Sequence, residues 1–247
     1  MSNLIHSPRG RTGELTLSPR LAFLAGWVPQ GTRLADIGTD HAYLPVWLDP
    51  HGRVSAAIAA DLRPGPLQRA RETGRLYGAR HVDYRLCDGL AAISADECDT
   101  IVIAGMGGEN IAGILERAPW TADGQHTLLL EPHSRAEVLR GFLAENGYAI
   151  QREALIRDRG FLYPVMEVTA GEMSLSPGQI YCGAKLLHDP LGERYIIERI
   201  IQLQGVVAGK NKSADPKDRA HADQQRDLIT ELLAMREEWR HANCPGN

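Results

Sequence analysis

RLADIGTDHAYLP, residues 33–45, is the stretch of this sequence that decides the fold. It predicts an apolar strand, a turn with a single glycine, Gly38, and then the start of a helix. One carboxylate, Asp36, lies inside the strand, and a second, Asp40, lies in the turn. Dinucleotide-binding proteins place three glycines at this point so that backbone amides can approach a pyrophosphate. The single glycine therefore favours a ligand without phosphate groups.

The segments around this stretch predict an α/β fold. Short apolar strands alternate with helical segments, a pattern typical of a parallel sheet covered on both faces. We predict the strands at residues 33–39, 54–60, 82–86, 99–104 and 127–130. The helices are predicted to begin at Pro19, behind an N-cap at Ser18, and to span 65–76, 111–117 and 136–146. Two further extended segments, 148–156 and 161–168, predict an antiparallel hairpin with Gly160 in its turn.

From about residue 171 the sequence changes to two helical segments, 193–208 and 223–240. The second helix carries apolar side chains at spacings of four, three and four, which is coiled-coil spacing: Leu228, Leu232, Met235 and Trp239. The polar stretch between the helices, residues 210–218, contains Pro216 and predicts a linker. We interpret the two helices as an antiparallel pair in a small appended domain.

Composition limits the class of protein. The 247 residues are 43% hydrophobic, enough for one α/β domain with an appendage. The formal net charge of −4 lacks the basic bulk of many nucleic-acid-binding proteins. The four cysteines form no C-x-x-C pair, which indicates a reducing compartment. The longest apolar run, residues 21–28, is too short to span a membrane. We therefore expect a cytoplasmic protein without membrane contact. We also expect no metal.

Acidic residues and glycines follow the first four predicted strands. Ligands of open α/β sheets bind beyond the carboxyl ends of the strands, so these residues are expected to meet at one site. They are Asp36, Gly38, Asp40 and His41 at the first strand, Asp61 at the second, Asp88 and Gly89 at the third, and Ala104, Gly105, Met106, Gly107 and Gly108 at the fourth.

The loop after the first strand resembles that of class I methyltransferases, which bind S-adenosylmethionine (SAM), a ligand with an ammonium, a carboxylate and a sulfonium. Asp61 can then accept both ribose hydroxyls, and Asp88 and Gly89 can bind the adenine. Asp36, buried in a strand, needs partners; we expect it to accept the turn amides or to reach the ammonium through water. The plainer alternatives are a helix cap for Asp61, and a simple Asp-Gly turn for residues 88–89.

The remaining candidates lie near the expected methyl donor and acceptor. The glycines of residues 105–108 allow close backbone approach, and we expect a cradle there, with Gly108 on the acceptor side. Arg20 is a candidate for the SAM carboxylate or a phosphate, and His133 for the acceptor. The alternatives are a flexible loop for 105–108, a surface arginine, a loop histidine, and a helix start for Asp40 and His41.

Four segments together resemble the TrmK-type methyltransferases, which methylate N1 of adenine 22 in bacterial tRNA: residues 17–21, 35–45, 87–90 and 103–108. The resemblance implies a class I SAM-dependent methyltransferase with a Rossmann-like, mostly parallel seven-stranded sheet. It implies a SAM-binding methyltransferase domain at residues 1–171, a C-terminal helical, coiled-coil-like domain at 172–247, and tRNA as the partner. The chain departs from the family at Asp61, where a glutamate is expected, and at residues 131–133, where Gln-Pro-Asn is usual.

The chemistry expected of such a site is alignment. Adenine N1 carries an in-plane lone pair and needs no strong base, so the enzyme holds N1, methyl and sulfur in line. The product base is a cation, and Asp40 is the candidate carboxylate beside it. The target base must also leave its stack. Three alternatives stay open: a methyltransferase of a small metabolite, which the acidic charge favours, a non-enzymatic SAM-binding or partner-binding protein, and, distantly, an NAD-type oxidoreductase. The oligomeric state is left open.

Overall fold

The computed structural model describes residues 13–211 and 215–244 of the chain. Seven strands in this part form one sheet in the order β3-β2-β1-β4-β5-β7-β6. The strands are β1 Thr32–Ile37, β2 Val54–Asp61, β3 Val82–Leu86, β4 Thr100–Gly107, β5 Thr127–Ser134, β6 Tyr148–Asp158 and β7 Phe161–Ala170. Only β7 runs against its neighbours β5 and β6. The predicted parallel sheet with an antiparallel hairpin at its edge is confirmed.

Helices cover both faces of the sheet. They are α1 Pro19–Trp27, α2 Tyr43–Leu48, α3 Pro64–Tyr77, α4 Gly108–Glu116, α5 Ala136–Glu145, α6 Pro177–Cys182, α7 Gly192–Lys210 and α8 Pro216–Asn243. Alternate residues of the central strand β4 point to opposite sides. Ile103 packs with apolar residues of α4 and α5, whereas Val102 packs with those of α1 and α2. Because side chains of β4 pack against helices on both faces, the faces of the sheet are covered, and the carboxyl ends of the strands form its open edge.

The structure corrects several predicted boundaries. Strand β4 does not end at Ala104 but continues to Gly107, with register irregularities on either side of Met106. The alternative of a flexible loop at residues 105–108 is therefore wrong, since this segment is a bulged strand end that leads directly into α4. Gly105, at φ 81°, supplies the backbone conformation that the bulge requires. The short helix α6 was not predicted, because six residues give too little periodicity to identify a helix.

The predicted antiparallel pair of C-terminal helices is confirmed. Glu193 near the start of α7 accepts hydrogen bonds from Arg236 and Arg240 near the end of α8, at 2.9 and 2.6 Å. At the other end of the pair Lys210 contacts Asp218. Both helices extend further than predicted, so the linker is shorter than residues 210–218, and its positions 212–214 lie outside the described residues.

A buried ion pair joins the sheet to the C-terminal segment. The side chains of Arg140 in α5 and Glu153 in β6 are both fully buried, 2.8 Å apart. Glu153 also accepts from the backbone amides of Ala184 and Lys185, and Arg140 donates to the carbonyl of Ile180. The pair therefore ties α5 and β6 to α6 and to the residues that follow it. Within residues 13–211 and 215–244, no helix combines the length and hydrophobicity of a membrane span, and no cluster of potential metal ligands occurs.

We expect Glu153→Gln to lower the free energy of unfolding by about 3 kcal/mol or more, because it leaves the Arg140 charge buried without its counterion. Urea unfolding followed by circular dichroism measures the loss. Glu167→Gln is the control, since Glu167 pairs with Arg152 at the surface of the same hairpin and is expected to cost less than about 1 kcal/mol. Equal losses for the two variants would contradict this prediction.

Candidate active site

The carboxyl ends of β1 to β4 line an open cleft of about 670 Å³. Eight of the predicted site residues line it: Gly38, Asp40, Asp61, Asp88, Gly89, Ala104, Gly105 and Met106. A second cavity of about 520 Å³ lies on the α1 side and is lined by three more: Arg20, Asp36 and His41. Gly38, Asp40, Ala104 and Gly105 line both. The two cavities therefore meet at the β1 turn and the β4 bulge.

The β1 turn is fixed by its neighbour β2 and by Met106. The amides of Gly38 and Thr39 both donate to the carbonyl of Ala60, at 2.8 and 3.0 Å. Gly38 has φ 77°, and a Cβ atom added to it would overlap the terminal methyl of Met106. The positive φ favours glycine at this position, and an added Cβ would also displace the flexible end of the Met106 side chain. Met106 thus packs over the turn where the two cavities join.

Asp36 stabilises the turn in a different way from the one predicted. The turn amides donate to Ala60, and the partner of the Asp36 carboxylate is the hydroxyl of Thr39. Burial, helped by the nearby charge of Asp61, raises the pKa of Asp36 to about 6 against the lowering effect of the Thr39 hydrogen bond. The expectation that Asp36 accepts the turn amides is therefore wrong.

The cleft at the ends of β2 and β3 has the polarity that a nucleoside requires. Asp61 is buried and accepts from the amide of Arg63 through Oδ1, at 2.8 Å. Its Oδ2 has no hydrogen-bond partner among the described residues. Asp88 stands at the exposed mouth of the cleft, 3.4 Å from Arg117. Sequence reasoning missed the apolar residues Leu62 and Ile114, which also line this cleft; an exposed leucine directly after an acidic strand end was the available signal for the first.

Asp40 and His41 lie in the β1 turn region but do not start a helix. Helix α2 begins after Ala42, which has φ 54°, so the alternative of a cap at Asp40 is wrong. The Asp40 carboxylate pairs with Arg69 of α3. The His41 ring stacks on Tyr43 with 5.0 Å between ring centroids and 3° between planes. Both residues line the second cavity, and Asp40 lines the cleft as well.

Glu131, at the end of β5, was not among the predicted site residues. Its side chain is fully buried, and it accepts from Arg20 at 2.9 Å and from the amide of Gly105 at 3.0 Å. Burial raises the pKa of Glu131 to about 7, although the charge of Arg20 acts in the opposite direction. The signal in the sequence was a carboxylate after the three leucines of β5, the same pattern as Asp36 in β1.

Arg20 binds protein carboxylates in this structure. Besides Glu131 it donates to Asp158 at 3.0 Å, and its guanidinium lies 4.8 Å from the ring centroid of Tyr163. The predicted role, binding of the SAM carboxylate or a phosphate, would require Arg20 to share or exchange these partners. His133 contacts Arg20, and burial together with the Arg20 charge lowers its pKa. His133 therefore lies beside the second cavity rather than in its wall.

Gly107 and Gly108 do not form the predicted cradle. Gly107 is the N-cap of α4, and Gly108 is buried in the first turn of that helix. A Cβ atom on Gly108 would overlap the carbonyl oxygen of Arg135. Gly108 is therefore required for close packing of α4 against the β5–α5 turn, and neither glycine lines the cleft or the second cavity.

Known proteins share both this sequence and this fold. Residues 17–166 match the methyltransferase domain family. The tRNA (adenine(22)-N(1))-methyltransferase of Bacillus subtilis is 37% identical over 178 residues, which cover 72% of this chain and 75% of that protein. The chain belongs to this methyltransferase family.

Solved structures agree with this family assignment. The crystal structure of the B. subtilis tRNA methyltransferase TrmK has a TM-score of 0.76 at 31% identity, and the match covers 92% of this chain and 99% of that one. Streptococcus pneumoniae Sp1610 in complex with S-adenosyl-L-methionine has a TM-score of 0.77 at 32% identity, covering 88% and 100%. The family match thus extends over the C-terminal helices as well as the sheet.

In this methyltransferase fold, Asp36→Asn is expected to change how stability depends on pH. The raised pKa means that Asp36 contributes fully to stability below about pH 4, and that the contribution is lost as the pH rises through about 6. Asparagine mimics the protonated form, so the unfolding free energy of the variant relative to wild type should increase by up to about 3 kcal/mol between pH 4 and 6. Urea unfolding at each pH measures the difference.

Asp99→Asn is the control of opposite sign. Hydrogen bonds from Arg33 hold the pKa of Asp99 below its usual value, so this carboxylate contributes stability above the acid range. The stability of Asp99→Asn relative to wild type should therefore decrease as the pH rises. Parallel pH curves for wild type and Asp36→Asn would contradict the buried, raised state of Asp36.

Proposed function

We propose that the protein transfers a methyl group from SAM to N1 of an adenine in tRNA, with adenine 22 as the target. The observation that carries this proposal is the meeting of two cavities at Gly38, Asp40, Ala104 and Gly105. One cavity has the carboxylate and apolar groups that suit a nucleoside, and the other has room for an acceptor base. The name of the B. subtilis relative and the SAM in the S. pneumoniae structure support the two halves of the reaction.

The cleft fits the cofactor. The free Oδ2 of Asp61 suits the ribose hydroxyls, and Asp88 with the Gly89 amide suits the adenine edge, beside Leu62. The positive φ of Gly38 and Gly105 brings backbone close to the junction of the cavities without a Cβ in the way. Bound there, SAM supplies an electrophilic methyl group. The remaining work of the chain is to orient the acceptor and exclude water.

The acceptor side needs orientation and a nearby negative charge. Adenine N1 attacks through its own lone pair, so no residue has to remove a proton first. Asp40 is our candidate for stabilising the cationic product, because it lines both cavities and Arg69 holds its carboxylate in place. His41, stacked on Tyr43, offers a flat aromatic surface in the second cavity.

We assign residues 172–247, with helices α6 to α8, to a C-terminal domain that contacts the body of the tRNA, and residues 1–171 to the catalytic domain. Action on tRNA would place the protein in the cytoplasm, in keeping with the free buried thiols of Cys87, Cys98 and Cys182. A methyltransferase of a small metabolite is the second candidate, favoured by the net charge of −4.

Incubation with labelled SAM and unmodified tRNA tests the proposal. We expect label in tRNA at adenine 22, mapped by primer extension, and none in a transcript in which another base replaces that adenine. The controls are transcript that has not been incubated with the protein and transcript incubated with heat-treated protein. Label that appears only in the small-molecule fraction of a cell extract would overturn the tRNA proposal and support the metabolite alternative.

Gly38→Ala should weaken SAM binding by about tenfold or more, because the new methyl group strains the backbone at positive φ and displaces Met106 from the turn that lines the cleft. Isothermal titration calorimetry measures the affinity. Gly52→Ala is the matched control: Gly52 has φ 62° but nothing within 4 Å of an added Cβ, so it carries the backbone cost alone. Wild-type affinity in Gly38→Ala, or an equal loss in Gly52→Ala, would contradict this account of the site.

A further inference from the structure

The turn of the β6–β7 hairpin holds an arginine in a conformation that arginine disfavours. Asp158 pairs with Phe161 across the hairpin, so Arg159 and Gly160 form a two-residue turn. Their φ angles are 48° and 89°. Turns with positive φ at both central residues favour Asn-Gly or Asp-Gly, because a longer side chain is strained in this region. An arginine here lowers stability relative to asparagine, which indicates that its side chain serves another purpose.

The hairpin tip presents positive charge beside the second cavity. Arg157 and Arg159 are both exposed, and in the part of the chain that the structure describes neither forms an ion pair. Asp158 between them is paired with Arg20. Arg159 itself lines the second cavity. The exposed charge of the hairpin tip is therefore positive, although the whole chain is acidic.

A row of aromatic rings runs from the tip toward the same cavity. Phe161 is 67% exposed. Its ring centroid lies 6.5 Å from that of Tyr163, which is two residues along β7 and so on the same face. Tyr163 in turn lies 5.0 Å from the ring of His133. Exposed aromatic rings beside free arginines are the surface that proteins use to bind unpaired nucleotides, by stacking and by phosphate contact.

The other face of the hairpin packs against the C-terminal helices. Leu155 and Leu162 belong to one buried cluster with Tyr195, Ile196 and Leu232. The tip therefore lies between the second cavity on one side and the helical segment on the other. A tRNA that contacts the C-terminal helices and also inserts a base into the cavity has to pass over residues 157–161.

We propose that the hairpin tip, residues 157–161, is an RNA-binding element in which Phe161 stacks on an unpaired nucleotide next to the target adenine. Arg159, in the turn, contacts a phosphate beside that nucleotide. Arg157 pairs with Leu162 and so lies on the face toward the C-terminal helices, where it contacts the RNA backbone on that side. This inference rests on the proposed function and extends it, because it identifies how the acceptor is held once its base has left the stack. The partner is thus an RNA with unpaired nucleotides beside the target, not a free nucleoside.

Removal of the Phe161 ring tests the stacking contact. Phe161→Ala should raise the dissociation constant for an unmodified tRNA transcript about tenfold, within the range of one base–aromatic stack, and leave SAM affinity unchanged. Phe161→Trp should restore tRNA binding. Leu76→Ala is the matched control, since Leu76 is 69% exposed on α3, next to the opposite edge of the sheet. Fluorescence anisotropy with labelled transcript measures tRNA binding.

Arg159→Asn separates a role in binding from a role in folding. Asparagine is favoured at this turn position, so the melting temperature should stay equal or rise. The tRNA affinity should fall. The slope of log affinity against log salt should decrease in magnitude by about one, which corresponds to the loss of one phosphate contact. Arg75→Gln is the control: Arg75 is exposed in the last turn of α3 and has no ion pair among the described residues.

Two results would overturn the inference, and they are distinguishable. If Phe161→Ala and Arg159→Asn bind tRNA with wild-type affinity and salt slope while the wild-type chain methylates adenine 22, the hairpin proposal is wrong and the proposed function stands. If the wild-type chain methylates no tRNA in the same assay, the proposed function fails and this inference fails with it.

Discussion

The acceptor side of the site depends on the hydrogen bonds that the buried side chain of Glu131 accepts. A carboxylate fully removed from water is tolerated only when other groups surround it with hydrogen bonds or positive charge. Glu131 obtains these from the Arg20 guanidinium and from the amide of Gly105. The first partner fixes the start of α1 against the end of β5, and the second fixes the bulge of β4.

Through these two bonds one residue links parts of the site that are distant in sequence. The bulge at Gly105 is followed at once by Met106, whose side chain packs over Gly38 at the junction of the two cavities. Arg20 extends the link to Asp158 at the hairpin tip. The positions of the cofactor turn, the acceptor cavity and the hairpin are thus set together. We therefore expect a change at Glu131 to reach all three, through the hydrogen bonds of Arg20 and of the Gly105 amide and through the packing of Met106 on Gly38.

The sequence predicts well those features that depend only on the order of neighbouring residues. Asp61 ends strand β2 and Asp88 follows the short strand β3, and a parallel sheet brings such strand ends to one edge. The partners of Glu131 cannot be read in this way, since Arg20 lies 111 residues earlier in the chain. Gly108 shows the same limit: its glycine is required by the carbonyl of Arg135, a contact that only the packed helices create.

The acidic total charge of the chain is compatible with binding RNA, because net charge does not describe where the charges lie. On the C-terminal helices Arg236 and Arg240 are paired with Glu193, so their charge is largely cancelled at short range. At the hairpin tip the carboxylate of Asp158 is paired with Arg20, so the exposed charges that remain are those of Arg157 and Arg159. Electrostatic attraction between exposed groups decays over about 10 Å at moderate salt. A phosphate at the hairpin tip therefore experiences mainly the field of the exposed arginines there, and local pairing decides which partner this surface can bind.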